Sequence, residues 1–258
     1  MKFIAAGYSD TGNVKEINQD SLLIKIAQTS AGMTACCIVC DGMGGLKSGE
    51  VASAFVINTF NDWFNRCLPS IIRDSDNINL ICDNWKNIIK ECNYKIMEYG
   101  RSNGFNIGTT ITGIIIIGDK YLTINVGDSR VYMLTDKAVK LTRDQTVVEN
   151  EIAAGRLTKQ EAKEDPRRSV LLQCIGATEN VVPEFTRGTL SSCQTIVVCS
   201  DGFRHEISED EMYACLSSKA VMDEQSGRNN LIQLTKLVKQ RGERDNITAA
   251  VIKAYSGI

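Results

Sequence analysis

Residues 34–45 read TACCIVCDGMGG, a short β-rich run from Thr34 to Cys40 that ends on Asp41 and a cluster of glycines. Apolar residues bounded by turn formers specify a strand, and an aspartate at its end projects from a rigid support. The same construction recurs at 122–128 (LTINVGD), ending on Asp128, and at 195–201 (TIVVCSD), ending on Asp201. Two more aspartates stand beside turns or strand edges: Asp20 in Asn18-Gln19-Asp20 and Asp245 in Arg244-Asp245-Asn246. Asp-Gly is also the commonest turn dipeptide, so no one of these carries weight alone. Their shared setting points to a carboxylate site. Hard divalent cations take oxygen ligands, and short-stemmed carboxylates at strand ends converge with little freedom left to freeze. The glycine after Asp41 or Asp201 lets backbone come close, so a carbonyl such as that of Gly42 can join the ligands.

Outward from this strand the period changes. From Lys47 to Cys67 the apolar residues Val51, Ala52, Phe55, Val56, Phe60, Trp63 and Phe64 recur at helical spacing. After a polar linker, Asp74 to Asn79, a second helix is predicted through Leu80, Ile81, Trp85, Ile88, Ile89, Cys92, Ile96 and Met97. Upstream, Asp20 to Ile26 reads as a strand. Downstream, Thr109 to Ile117, Tyr121 to Val126 and Arg130 to Leu134, separated by Gly118-Asp119 and Gly127-Asp128, read as an antiparallel meander. Residues Val147 to Asp165 are polar and helical, with Thr158 and Glu161 in a capping box, and look like a surface insertion. A second capping box at Ser208 and Glu211 opens a helix; another covers about Asn229 to Arg241, and Ile247 to Lys253 is a closing strand. Blocks of strands and blocks of helices imply an α+β layered domain with antiparallel sheets.

Composition narrows the partners. The 258 residues are 43% hydrophobic and 23% charged, with Pro only 3, which describes a soluble globular chain, expected to form one domain. A net charge of −2 with scattered basic residues offers no footprint for nucleic acid. The start, MKFIAAGYSDTGNV, lacks the pattern of a signal peptide, and the nearest approach to a membrane span is Ile111 to Ile117, far too short. A cytoplasmic location without membrane contact is expected. Most of the ten cysteines sit in apolar runs, as Cys36, Cys37, Cys40 and Cys199 do, where a thiol acts as a small hydrophobe. Cys37 and Cys40 form a CxxC, but positions three apart on a strand face opposite sides and cannot share an ion.

Taken in order, NQD, VCDGMGG, GTT at Gly108 to Thr110, NVGDSR, LTRDQT, VCSDGF and RDNIT resemble the motif series of the metal-dependent type 2C protein phosphatases, especially their bacterial branch. The match runs from about Gly7 to Val251. The resemblance implies a four-layer α-β-β-α sandwich, two central antiparallel sheets flanked by antiparallel helix pairs, with two Mn²⁺ or Mg²⁺ ions at one end. Asp41 would bridge both ions, Asp20 and the Gly42 carbonyl would serve one, and Asp201 and Asp245 the other. Asp128, with Asp201, matches the place where bacterial members take a weaker third metal. Asp41 and Asp201 would be the residues most directly tied to catalysis, with Gln19 and Asn246 supporting them. The implied activity is hydrolysis of phosphoserine and phosphothreonine in proteins phosphorylated by a Ser/Thr kinase, by a monomeric enzyme.

Two ions about 4 Å apart share a water, lower its pKa and neutralise the phosphoryl oxygens. No protein nucleophile is needed, in keeping with a chain whose only histidine is His205. That histidine is expected at the surface or supporting the site, the alternative being a proton donor to the leaving alkoxide. Three positions depart from the family pattern. Lys15 stands where Arg usually grips the substrate phosphate, and offers a point charge rather than a bidentate fork. Gln19 stands where Glu is usual, removing a charge. Gln145 replaces the His after the Asp of the TxDH motif, a change in a supporting position or at the edge of the substrate. The insertion at about 147–165 matches the flap beside the active site of bacterial members. The competing readings are a pseudophosphatase acting as a regulatory binding module, a P-loop nucleotide hydrolase suggested by Gly42 to Ser48, where Leu46 stands in place of the required Gly, and a purely structural metal protein.

Overall fold

The computed structural model describes residues 1–43, 48–72 and 78–256. Its elements in chain order are β1 (Lys2–Asp10), β2 (Ser21–Thr29), β3 (Gly32–Cys40), β4 (Gly42–Met43), α1 (Gly49–Arg66), α2 (Leu68–Ile71), α3 (Ile78–Asn103), β5 (Gly108–Thr109), β6 (Ile111–Ile117) and β7 (Lys120–Val126). There follow β8 (Arg130–Leu134), β9 (Ala138–Lys140), α4 (Val147–Ala153), α5 (Lys159–Glu164), β10 (Glu184–Thr189), β11 (Thr195–Cys199), α6 (Asp201–Arg204), α7 (Glu209–Leu216), α8 (Glu224–Gln240) and β12 (Ile247–Tyr255). Gly44 to Lys47 of the glycine-rich stretch, including the predicted start of the first helix, and most of the linker at 74–79 lie outside the described residues.

Two five-stranded sheets form, β1-β12-β11-β8-β9 and β10-β7-β6-β3-β2, together with the short pair β4-β5. Three apolar clusters stack them into four layers. Along β3, Ala35, Cys37 and Val39 join Ile196, Val198, Ala250 and Ile252 between the sheets, while Cys36, Ile38 and Cys40 meet α1 and α3 through Val56, Phe60, Trp85 and Ile89. On the opposite outer face, Val197, Cys199, Ala249 and Val251 pack against Met212, Leu231, Leu234 and Val238 of α7 and α8. Both faces of these strands are buried, so they read as continuous apolar runs rather than as alternating ones. Trp85 is fully buried, with the rings of Phe60 and Trp63 set edge-on at 5.4 and 5.5 Å, a trio that fixes α3 on α1. All ten cysteines are free thiols, and Cys37 and Cys40 do point to opposite faces of their strand.

The meander is a partial reading. β6 and β7 pair as a hairpin, but β8 pairs with β11 and β9 in the other sheet. Gly127, at φ +110°, turns the chain across from one sheet to the other. A glycine-aspartate pair signals reversal, not the sheet to which the next strand belongs. Two strands carry weak local signals: β1, whose nine-residue register runs from Lys2 opposite Tyr255 to Asp10 opposite Ile247, and β10, an edge strand on β7. Both predicted capping boxes form, on Thr158 and Ser208, whereas α8 begins before the predicted Asn229, capped by Asp223 with Ser226.

Candidate active site

Register brings the aspartates to one end of the sandwich. Ser21 lies opposite Cys40 in the antiparallel pair β2–β3, which sets Asp20 beside Asp41. Cys199 lies opposite Ala249 in β11–β12, which sets Asp201 near the entry of β12 and Asp245. The Ser200 hydroxyl joins the two sheets by donating to Asp20 Oδ2 at 3.0 Å. Asp128 stands at the crossing from β7 to β8.

Backbone contacts make this end rigid. The Asp41 amide donates to Thr110 Oγ1 at 3.0 Å, and its carbonyl accepts from Thr110 N and Thr109 Oγ1, each at 2.9 Å. The two threonines of the GTT stretch are therefore the frame of Asp41, a role its place in a motif order does not disclose. A Cβ on Gly42 would lie 2.3 Å from the Gly49 carbonyl oxygen and 2.5 Å from that of Gln19, and one on Gly202 would lie 2.2 Å from that of Asn246. These glycines allow strand ends to cross at backbone contact.

The carboxylates repel one another in a place they are reluctant to be charged. Burial, followed by the neighbouring Asp201 and Asp245, pushes Asp20 up to about 7 against the opposing hydroxyls of Thr248 and Ser200. Asp41 is driven well above the ordinary carboxylate range by burial and by Asp20, Asp201, Asp128 and Asp245. Burial and Asp201 likewise raise Asp128 to about 7, with Arg204 opposing. Asp20 Oδ1 and Asp201 Oδ1 are buried without any hydrogen-bond partner. Buried, orphaned, mutually repelling oxygens are the donor set of a hard cation site, so these residues fit divalent metal. Among the described residues no three acidic, His or Cys side chains close on one point.

Around this core the side chains are mostly held by partners distant in sequence. Lys15 Nζ pairs with Asp245 Oδ1 at 2.8 Å, both about two-fifths exposed; burial works against its charge, but Asp245, Asp41 and Asp201 outweigh it and raise its pKa. Asn246 is a clamp. Its Oδ1 accepts from Gln19 N at 2.9 Å, and its Nδ2 donates to the carbonyls of Thr11 and Ile17 at 2.9 and 3.0 Å. The loop bearing Lys15 thereby hangs from the entry to β12. Gln19 turns its amide to Glu50 at 3.3 Å. His205 lies 3.4 Å from Glu243 and 3.8 Å from Asp201, and Glu243 also accepts from the amides of Arg244 and Asp245. His205 thus stands between Glu243 and Asp201 at the edge of the carboxylate cluster. Glu243 lacked any signal beyond proximity in sequence to Asp245.

Gln145 is held from inside the fold. It is buried, and its Oε1 accepts from Gly127 N and Gln173 Nε2, each at 2.9 Å. Neighbouring Asp144 is gripped by Arg130, with Nη2–Oδ2 at 2.6 Å, and by Lys140 at 3.4 Å. A cleft of about 420 Å³ is lined by Arg143, Asp144, Gln145, Leu172, Gln173 and Val182 among others, but not by the clustered carboxylates. The predicted insertion forms α4 and α5, of whose residues only Val148 and Ala162 are buried, in keeping with a segment lacking a core of its own.

The model of the protein phosphatase 2C family matches residues 10–239. A putative protein phosphatase 2C-type of Streptococcus pyogenes is 30% identical over 95% of this chain and 94% of its own length. The structure of the S. agalactiae serine/threonine phosphatase superposes with a TM-score of 0.82 at 29% identity, covering 98% of this chain and 100% of that one. The catalytic domain of the serine/threonine phosphatase PstP, solved in complex with 2 manganese ions, superposes with a TM-score of 0.77 at 25% identity over 98% of this chain and 99% of that one.

Proposed function

This chain belongs to the protein phosphatase 2C family, and we propose that it hydrolyses phosphoserine and phosphothreonine monoesters in proteins by means of two divalent ions. The observation that carries the reading is the carboxylate cluster, in which Asp20 is buried and Asp41 half-buried among like charges and Asp20 and Asp201 keep unpartnered oxygens. Asp20, Asp41 and the Gly42 carbonyl would hold one ion, and Asp41, Asp201 and Asp245 the other. Bound there, Mn²⁺ or Mg²⁺ supplies an acidified water as nucleophile and neutralises charge on the phosphoryl group.

The residues of the chain do the positioning. Thr109 and Thr110 keep the Asp41 backbone from shifting. Asn246 holds the 11–19 loop so that Lys15 stays beside the carboxylates. An incoming phosphoryl group competes with Asp245 for the Lys15 ammonium, which binds as a point charge. His205, between Glu243 and Asp201, would support the site and, in its alternative role, give a proton to the departing alkoxide.

The substrates would be products of a Ser/Thr kinase, and the enzyme a cytoplasmic monomer comprising one catalytic domain with a flap at about 147–165. Among the described residues no helix is long and apolar enough to cross a membrane. Turnover of p-nitrophenyl phosphate and of a phosphothreonine peptide with Mn²⁺ tests the reading. Activity abolished by EDTA and by Asp201→Asn is expected; absence of turnover in the unmodified chain at saturating Mn²⁺ would instead favour the non-catalytic binding module.

A further inference from the structure

We propose that the Arg204 guanidinium occupies the place beside Asp128 where a third cation would otherwise bind, so that this chain holds two ions and excludes a third. The inference rests on the two-ion reading above and concerns a different corner of the same site. Arg204 ends the single turn α6 that begins at Asp201, and its side chain is only 10% exposed. Its Nη2 donates to the Asp128 carbonyl at 3.0 Å and lies 3.6 Å from Asp128 Oδ2 and 3.7 Å from Asp144 Oδ2.

The charges around it separate cleanly. Asp144 already has cations of its own: Arg130 binds both its oxygens, Nε at 2.9 and 3.1 Å and Nη2 at 2.6 Å, and Lys140 adds a contact at 3.4 Å. Arg204 is therefore the cation that pairs with Asp128 among the described residues. Among the described residues the buried carboxylate oxygens that lack a partner belong to Asp20 and Asp201, whereas Asp128 Oδ2 has the Arg204 guanidinium 3.6 Å away. The demand for an external cation falls on the pair of ions assigned above, and Asp128 has its counter-charge built in.

A guanidinium does not give up its proton at any working pH, so a divalent ion on Asp128 would have to sit within a few ångströms of a permanent positive charge or expel it. Expulsion is opposed by the carbonyl and two carboxylates that hold the group. The Arg204 Nε is itself buried without an acceptor, so the side chain is kept in place by charge at its tip rather than by a full set of hydrogen bonds. The site thus fits two ions and does not fit the third.

The test is a count of bound metal. Full-length chain stripped with chelator is dialysed against millimolar Mn²⁺, and bound manganese per chain is measured by atomic emission, with circular dichroism confirming the fold of each variant. The unmodified chain is expected to bind two ions, and Asp128→Asn to leave that number unchanged. Arg204→Gln is expected to bind a third ion, which Asp128→Asn in the same background removes, whereas Arg204→Lys keeps the cation and stays at two. Three ions on the unmodified chain, one of them lost in Asp128→Asn, overturn the inference without touching the two-ion reading, and so does an Arg204→Gln variant that remains at two. Fewer than two ions on the unmodified chain overturn the two-ion reading and this inference with it. Because Asp128→Asn alone discriminates, the inference is tested even if Arg204→Gln does not fold.

Discussion

Replacing Asp20 by Asn is expected to make the metal-free protein more stable, not less. Among the described residues Asp20 forms no ion pair, and burial next to Asp201 and Asp245 raises it from 3.8 to about 7. A folded-state pKa above the unfolded one means that stability is fully present below pH 3.8 and is lost as pH rises toward 7. At about 1.4 kcal/mol per pH unit the ionised group costs the metal-free fold roughly 4 kcal/mol at pH 8, of which about 1–2 kcal/mol is already felt at pH 5. Asn keeps an oxygen to accept from Ser200, whose hydroxyl reaches Asp20 Oδ2 at 3.0 Å, and it also removes Asp20 from the charges that raise Asp41. Urea unfolding of EDTA-treated protein at pH 5 and pH 8 measures the effect. The variant should exceed its parent by roughly 4 kcal/mol at pH 8, and by only about 1–2 kcal/mol at pH 5. A remaining pH slope from Asp41 and Asp128 is expected in both. Manganese should raise the Tm of the parent by more than that of the variant, which keeps Asp41, Asp201 and Asp245 for one ion. A variant no more stable than its parent at pH 8, or a gap that fails to shrink at pH 5, would refute the reasoning, because it would mean that Asp20 is not an electrostatic burden in the fold.

Asn246→Ala removes three side-chain hydrogen bonds and leaves Gln19 N and the carbonyls of Thr11 and Ile17 to find other partners; at about 1 kcal/mol each the fold should lose roughly 2–4 kcal/mol in urea unfolding, and a loss below about 1 kcal/mol would mean that the loop is held by something else. Lys15→Arg should lower KM for a phosphopeptide several-fold, since a guanidinium can meet phosphate with two parallel hydrogen bonds while an ammonium meets it as a point. An unchanged KM would show that Lys15, paired with Asp245 at 2.8 Å, does not contact the phosphoryl group.

The parts of the site that can be read in the sequence are those set by local rules. An apolar run long enough for a strand, ending on aspartate, locates Asp41, Asp128 and Asp201 at the ends of β3, β7 and β11, and the short reversal between β2 and β3 forces Asp20 to the same end as Asp41. The helix faces of α1 and α3 follow from spacing for the same reason. What escapes such a reading is set by partners far apart in the chain. Asn246 acts on residues some 230 positions away, β1 finds its partner only at β12, and the sheet to which β8 belongs depends on packing that a Gly-Asp turn does not encode. Arg204 is the sharpest case. In sequence it is one basic residue after a motif, and its meaning comes from Asp128, 76 positions earlier, whose carbonyl it meets at 3.0 Å. Strand ends bring the carboxylates together, but which of them still need a cation is decided by side chains whose arrival only the folded topology determines.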